Sequence, residues 1–200
     1  TFLVELLAAI PSVVYGLWGI FVLTPFLRDR LMQPLAERHL PLFQGAGFGP
    51  SMLTAGIILA IMILPIMAAL IREVFLQTPR LNEEAALALG ATKWEMIRLA
   101  VIPFGRPGIV SAAMLGLGRA LGETMAVAMV LSPSAVISFA LLTSTNPNTI
   151  AANIALQFPE AGGSYVNLLI ATGLVLFAIT LLVNSIARGI LARSAIGGGR

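Results

Sequence analysis

Of 200 residues, 58% are apolar and 10% charged, with a mean hydropathy of +0.95; soluble domains average about 45–50% and about 25%, so the chain reads as an integral membrane protein. No cysteine and one histidine, His39, exclude a disulfide framework, a thiolate zinc site, a cysteine nucleophile and a multi-histidine metal site built from this chain alone. The net charge of +3 is 12 basic against 9 acidic residues; the basic ones are scattered between hydrophobic runs, form no basic stripe for nucleic acid and carry topology information instead.

The chain begins at Thr1 and enters an apolar run almost at once. It has neither the basic region nor the small-residue cleavage site of a signal peptide. The expectation is a piece of a longer protein that lacks its N-terminal part. A spanning helix needs about 20 mostly apolar residues. The first predicted span runs over 6–27, interrupted by Pro11, Gly16 and Gly19. The connection 28–50 follows, with Arg28, Arg30, Arg38 and His39, the last read as a solvated loop residue. The second span covers 52–71, with a kink expected at Pro65.

The connection 72–108 is patterned. Thr78-Pro79 predicts an N-cap with proline at the first helical position. A short Ala/Leu helix then runs over 81–89, and Gly90 suits a left-handed end. Thr92-Lys93-Trp94-Glu95 is a capping box that opens a second short helix, limited by Pro103. Such a hairpin can lie on the membrane surface or be gripped by a soluble partner, since small alanines let a groove close around them.

The third span, 109–131, carries Arg119 and Glu123 near its centre. One Arg at a helix centre costs about 2.5–3.5 kcal/mol on insertion scales. The i,i+4 spacing puts both side chains on one face, where they can pair. Gly116, Gly118, Gly122 and Ala126 allow another backbone to approach closely. The pair can serve as a structural ion pair that fixes helix rotation, as an anion pathway in which the forked guanidinium suits an oxyanion, or, more weakly, in a proton relay.

The connection 132–165 has no Lys or Arg. It holds the turn sequence Asn146-Pro147-Asn148 and a short apolar-periodic piece over 149–158, expected as a surface helix. The fourth span covers 166–187, with Asn184 near its end, and the Gly-rich ending at 197–199 reads as a frayed terminus. With four spans, the 72–108 connection and the tail share one side and carry eight basic residues against three on the other. The positive-inside rule makes that side cytoplasmic. Both ends of the chain are therefore expected in the cytoplasm.

Glu84-Ala85-Ala86, then Gly90, then Pro103 thirteen positions further on resembles the EAA loop of ABC importer permeases, with Ala100 and Ile102 where that pattern has Ile and Leu. The run from Leu115 to Val127, containing Gly-Arg119-Ala-Leu-Gly-Glu123-Thr, closely resembles the C-type permease subunits of phosphate-specific ABC transporters. So does the run from Leu7 to Gly19. The resemblance covers nearly the whole chain. It implies an all-α polytopic membrane protein, a type I ABC importer permease bundle with four spans present of six. It implies that Arg119 and Glu123 belong to the phosphate pathway. It also implies that 72–108 forms the coupling loop for a separate ATPase, with Glu84 making a polar contact, Ala85 and Ala86 the close packing and Gly90 the turn.

The partners so implied are a second, related permease forming a heterodimer, cytoplasmic ATP-binding subunits, an extracytoplasmic phosphate-binding protein and membrane lipid, in the inner membrane of a prokaryote. Lys93, the only lysine, sits in no Gly-x-x-x-x-Gly-Lys-Ser/Thr loop, so nucleotide chemistry must come from another subunit. No enzyme active site, cofactor or metal is expected. The competing readings are a permease for sulfate or molybdate, a non-transporting scaffold that presents 72–108 to a cytoplasmic regulator, and a passive anion channel.

Overall fold

The structure, a computed structural model, describes residues 2–34, 49–131 and 148–197, and all regular structure among them is helical. His39, Arg38, the Asn146-Pro147 part of the expected turn and residues 198–200 lie outside the described residues.

The first span is broken where one helix over 6–27 was predicted. Helix α1 (Phe2–Ala8) stops before Pro11, whose ring disfavours helical geometry at Ile10 and which has no N–H to donate. Helix α2 (Ser12–Trp18) then starts a run that stays helical through a π turn at Gly19–Leu23, α3 (Thr24–Leu27) and a second π turn at Arg28–Met32. The Tyr15 hydroxyl donates to the Leu7 carbonyl at 2.8 Å, beside the long 3.4 Å bond that this carbonyl accepts from the Ile10 N–H at the end of α1.

Gly16 and Gly19 act as contact points more than as interruptions. A Cβ at Gly16 would lie 3.0 Å from Ala126 Cα, and one at Gly19 would lie 2.2 Å from Ile58 Cδ1. In a bilayer, where lipid tails are as apolar as leucine, such close backbone approach is what holds helices together.

Helix α4 (Met52–Leu76) starts at Ser51, whose hydroxyl accepts the Thr54 N–H at 3.2 Å, and continues through Pro65. Thr78 does not cap the next helix as predicted. Its N–H donates to Phe75 O at 3.1 Å, closing α4, and its hydroxyl oxygen is buried without a partner. Helix α5 (Arg80–Ala88) starts from Pro79 with no side-chain cap. Gly90 takes φ +86° as expected, and both arms of the Thr92–Glu95 capping box are formed at the start of α6 (Lys93–Met96).

Pro103 does not limit that helix. After a π turn at Ile97–Val101 the chain continues directly into α7 (Ile102–Gly122), so Lys93–Gly122 is one apolar helix of 30 residues. The π turn accounts for this. The Ile102 N–H reaches back to Ile97 O, a wider register than the α-helix, and Pro103 and Pro107 follow within the same helix.

Helix α7 packs along α4 through Gly105, Gly108, Ala112 and Gly116, spaced three, four and four. A Cβ at Gly105 would meet the Phe75 ring at 2.7 Å, one at Gly108 would meet Val74 Cγ1 at 2.4 Å, and one at Gly116 would meet Ile63 Cγ2 at 2.7 Å. Of the predicted small residues, Gly116 meets α4 and Ala126 meets Gly16 of α2, whereas Gly118 and Gly122 face open space. The third span also ends early, at Gly122, and the chain re-enters helix only at α8 (Met125–Val130).

Helix α8 packs its buried Ala126, Val127 and Val130 into the core with Tyr15, Leu23, Ile58 and Met62. The piece expected on the surface is helix α9 (Ile150–Gln157), capped by Thr149, and its Ala151 and Ala152 are buried. Helix α10 (Ser164–Gly197) is longer than predicted, at 34 residues. Among the described residues, three helices are long and apolar enough to span a membrane: Met52–Leu76, Lys93–Gly122 and Ser164–Gly189.

Candidate functional site

Arg119 and Glu123 do not form the predicted pair. Helix α7 ends at Gly122, and Glu123 is extended at φ −69°, ψ 123°, so the i,i+4 geometry that would join the two side chains is lost between them. No N···O contact within 4.0 Å links them; among the described residues the ion pair is Arg28–Asp29, at 2.8 Å. The Glu123 carboxylate turns to the start of α8, where its Oε1 accepts the Ala126 N–H at 3.3 Å. A carboxylate there satisfies one of the amides that a helix start leaves free.

Arg119 lines a cavity of about 620 Å³ between α4, α7 and α10. That volume lies within the ~300–1,000 Å³ range of small-molecule sites. Its walls are mostly apolar, from Ile63, Ile66, Met114, Leu115 and Ala187, and its polar groups are Ser111, Arg119, Asn184 and Arg188. The Ser111 hydroxyl is engaged, donating to Pro107 O at 2.9 Å. Neither guanidinium, nor the Asn184 amide, has a hydrogen-bond partner among the described residues. Among the described residues, no carboxylate lines the cavity. Gly118 also lines it, and a Cβ there would meet nothing within 4 Å, so the space beside Arg119 is open. Sequence reasoning placed Arg188 in the tail and left Asn184 without a role. Their i,i+4 spacing puts the two on one helix face, but nothing in the sequence joins that face to Arg119.

The helical hairpin between α4 and α7 is the second candidate surface. Helix α5 has no buried residue. Glu84 is exposed, Leu89 is 90% exposed, and Trp94 and Leu99 are largely exposed. Ala85 and Ala86 line a groove of about 460 Å³ against Leu99, Ala100 and Phe104 of the same chain. Glu84 is not among the residues that line that groove, Gly90 makes the turn, and Pro103 stands just beyond the π turn. The hairpin thus offers exposed leucines, a tryptophan and a carboxylate on a rigid two-helix frame, and such a frame suits insertion into a cleft of another protein.

Residues 1–195 match the family model described as the binding-protein-dependent transport system inner membrane component. Three relatives show the level of similarity. A Xylella fastidiosa (strain Temecula1) protein named phosphate transport system permease protein PstC is 47% identical over 197 residues, covering 95% of this chain and 60% of that protein. Its namesake in Pasteurella multocida (strain Pm70) is 43% identical over 196 residues, covering 95% of this chain and 61% of the other. Phosphate transport system permease protein PstC 2 of Mycobacterium tuberculosis (strain H37Rv) is 47% identical over 203 residues, covering 94% and 60%. The chain spans about 60% of the length of these curated relatives.

Proposed function

This chain belongs to the family of binding-protein-dependent transport system inner membrane components, and on that premise we propose that it forms part of the inward translocation pathway for inorganic phosphate, driven by ATP hydrolysis on a separate subunit. The observation that carries the substrate is the 43–47% identity, over almost the whole chain, to proteins named as phosphate transport permeases. The cavity holding Arg119 supports it chemically. A guanidinium stays charged at any physiological pH, and its planar fork suits an oxyanion.

In this reading Arg119 attracts phosphate into an apolar-walled cavity and makes an anion tolerable there. Glu123 shapes the pathway by fixing the break between α7 and α8, and its charge near Arg119 keeps anion binding weak enough for release. The hairpin carrying Glu84, Ala85, Ala86 and Gly90 couples the cavity to ATP-binding subunits. Helix α6 runs without interruption into α7, so a push on the hairpin moves the helix that bears Arg119. The partners are a second, related permease, two cytoplasmic ATP-binding subunits and an extracytoplasmic phosphate-binding protein. The setting is a prokaryotic inner membrane with the hairpin on the cytoplasmic side, where the positive-inside rule puts it.

The test is uptake by sealed vesicles that contain the full-length permease with its paired permease, ATPase and binding protein. Labelled phosphate should accumulate only with ATP, and excess sulfate or molybdate should not compete. Competition by either would move the substrate to another oxyanion. Equilibration without ATP would make the protein a passive channel, and an assembled complex that moves no oxyanion would leave the scaffold reading.

A further inference from the structure

The cavity holds more positive charge than the pathway reading uses. Arg119 on α7 and Arg188 on α10 both line it, and among the described residues no Asp or Glu lines it with them. Arginine does not lose its charge in proteins, so the cavity keeps two fixed cations. Two like charges lining one largely apolar-walled cavity repel, and that repulsion is relieved when an anion lies between them. Asn184 stands one helical turn before Arg188, on the same face, and its amide, unpartnered among the described residues, adds N–H donors.

We propose that Arg188, assisted by Asn184, forms with Arg119 a two-cation site for a doubly charged tetrahedral oxyanion, free phosphate being the occupant. This rests on the phosphate reading above and extends it by placing half of the anion site on α10. Two forked guanidiniums can each take two oxygens of a tetrahedral anion, and a pair of charges favours a dianion over a monoanion. The pathway is then formed between α7 and α10, and any movement of α7 against α10 separates the two cations and weakens the grip on the anion.

The chain has no native cysteine, so a single thiol in it is a clean reporter. Met114 lines the same cavity from α7 and takes no part in the proposed site. The assembled full-length complex carrying Met114→Cys, in nanodiscs of zwitterionic lipid, is treated with anionic and cationic thiol reagents of equal size. Modification of this chain is followed by mass. The anionic reagent should react faster, and inorganic phosphate should slow it.

Adding Arg188→Gln should cut the preference for the anionic reagent about tenfold, the order expected from removing one nearby charge at an effective dielectric of ~20, and should weaken protection by phosphate. Arg188→Lys should retain most of the preference, which separates loss of charge from loss of fold. An unchanged preference in Arg188→Gln, or no modification at all, overturns the proposal. So does protection that appears only with anionic lipid in the disc, because a lipid headgroup would then be the occupant. Phosphate uptake by the wild-type complex is measured alongside. Its absence with the two-cation protection intact would overturn the phosphate transport reading alone, whereas normal uptake with no Arg188 effect would overturn this inference alone.

Discussion

Glu123 accepts the backbone N–H of Ala126 at 3.3 Å and so holds the start of α8 one residue past the break that separates it from Arg119. The carboxylate therefore has two separable properties, an acceptor oxygen and a charge. Glu123→Gln keeps the acceptor and removes the charge, while Glu123→Ala removes both. Losing a cap costs about 0.5–2 kcal/mol. The expected result is a Gln variant that assembles and melts like wild type, and an Ala variant that melts lower by an amount of that order. Phosphate uptake in the Gln variant should fall, because it lacks the charge beside the pathway. A Gln variant as destabilised as the Ala variant would show that the cap does not hold this break.

The glycines of α7 divide into two kinds, and substitution should sort them. A Cβ at Gly108 would lie 2.4 Å from Val74 Cγ1, whereas one at Gly118 would meet nothing within 4 Å. Gly108→Ala overpacks the α4–α7 contact, and overpacking costs about 1–3 kcal/mol. Gly118→Ala removes a glycine from a helix interior and should be neutral or stabilising by up to about 1 kcal/mol. Thermal unfolding of the solubilised complex measures both. Equal effects at the two positions would contradict this packing.

The hairpin was the most legible part of the sequence because its signals are local. A left-handed glycine and a capping box act within four residues, and both formed where they were expected, at Gly90 and at Thr92–Glu95. The long helices were legible as apolar runs, but their ends were not. The π turn that carries Lys93–Gly122 past Pro103 depends on register and not on composition. The break after Gly122 goes with the Glu123 contact to the Ala126 N–H and with burial of Ala126, Val127 and Val130 in the core, and a hydropathy window reads straight through it. Arg119 could be singled out because a charge in mid-span is costly. Arg188 could not, because beside the tail it looked like one more topology residue, and only the fold puts the two in one cavity.

Arg119→Gln removes the charge and leaves a shorter side chain that is still polar and can still donate hydrogen bonds. Arg119 is exposed to the cavity and makes no ion pair within the described residues, so the fold has little to lose. Uptake of labelled phosphate should be abolished while the ATPase still assembles and hydrolyses ATP, and Arg119→Lys should restore part of the flux through its charge but not its forked geometry. Wild-type uptake in the Gln variant would reduce Arg119 to a structural role.

Glu84 is exposed on α5, a helix with no buried residue, so reversing its charge should leave this chain's own packing intact. Glu84→Lys should insert, assemble with the second permease and melt as wild type, since exposed substitutions away from packing usually change stability within about 0.5 kcal/mol. What should change is the yield of transport per ATP. If the hairpin sits in a cleft of the ATP-binding subunit, a positive charge in place of a carboxylate leaves an unmatched charge at the contact, and losing one charged hydrogen bond at such an interface costs about 2–5 kcal/mol. ATP hydrolysis in vesicles should then continue, uncoupled, with little phosphate accumulated, and co-purification of the ATPase should weaken. A companion change at Leu89, which is 90% exposed, should act in the same direction: Leu89→Ser removes an apolar anchor without altering the Gly90 turn. Retained coupling in both variants would remove the hairpin from the interface and return it to the membrane surface.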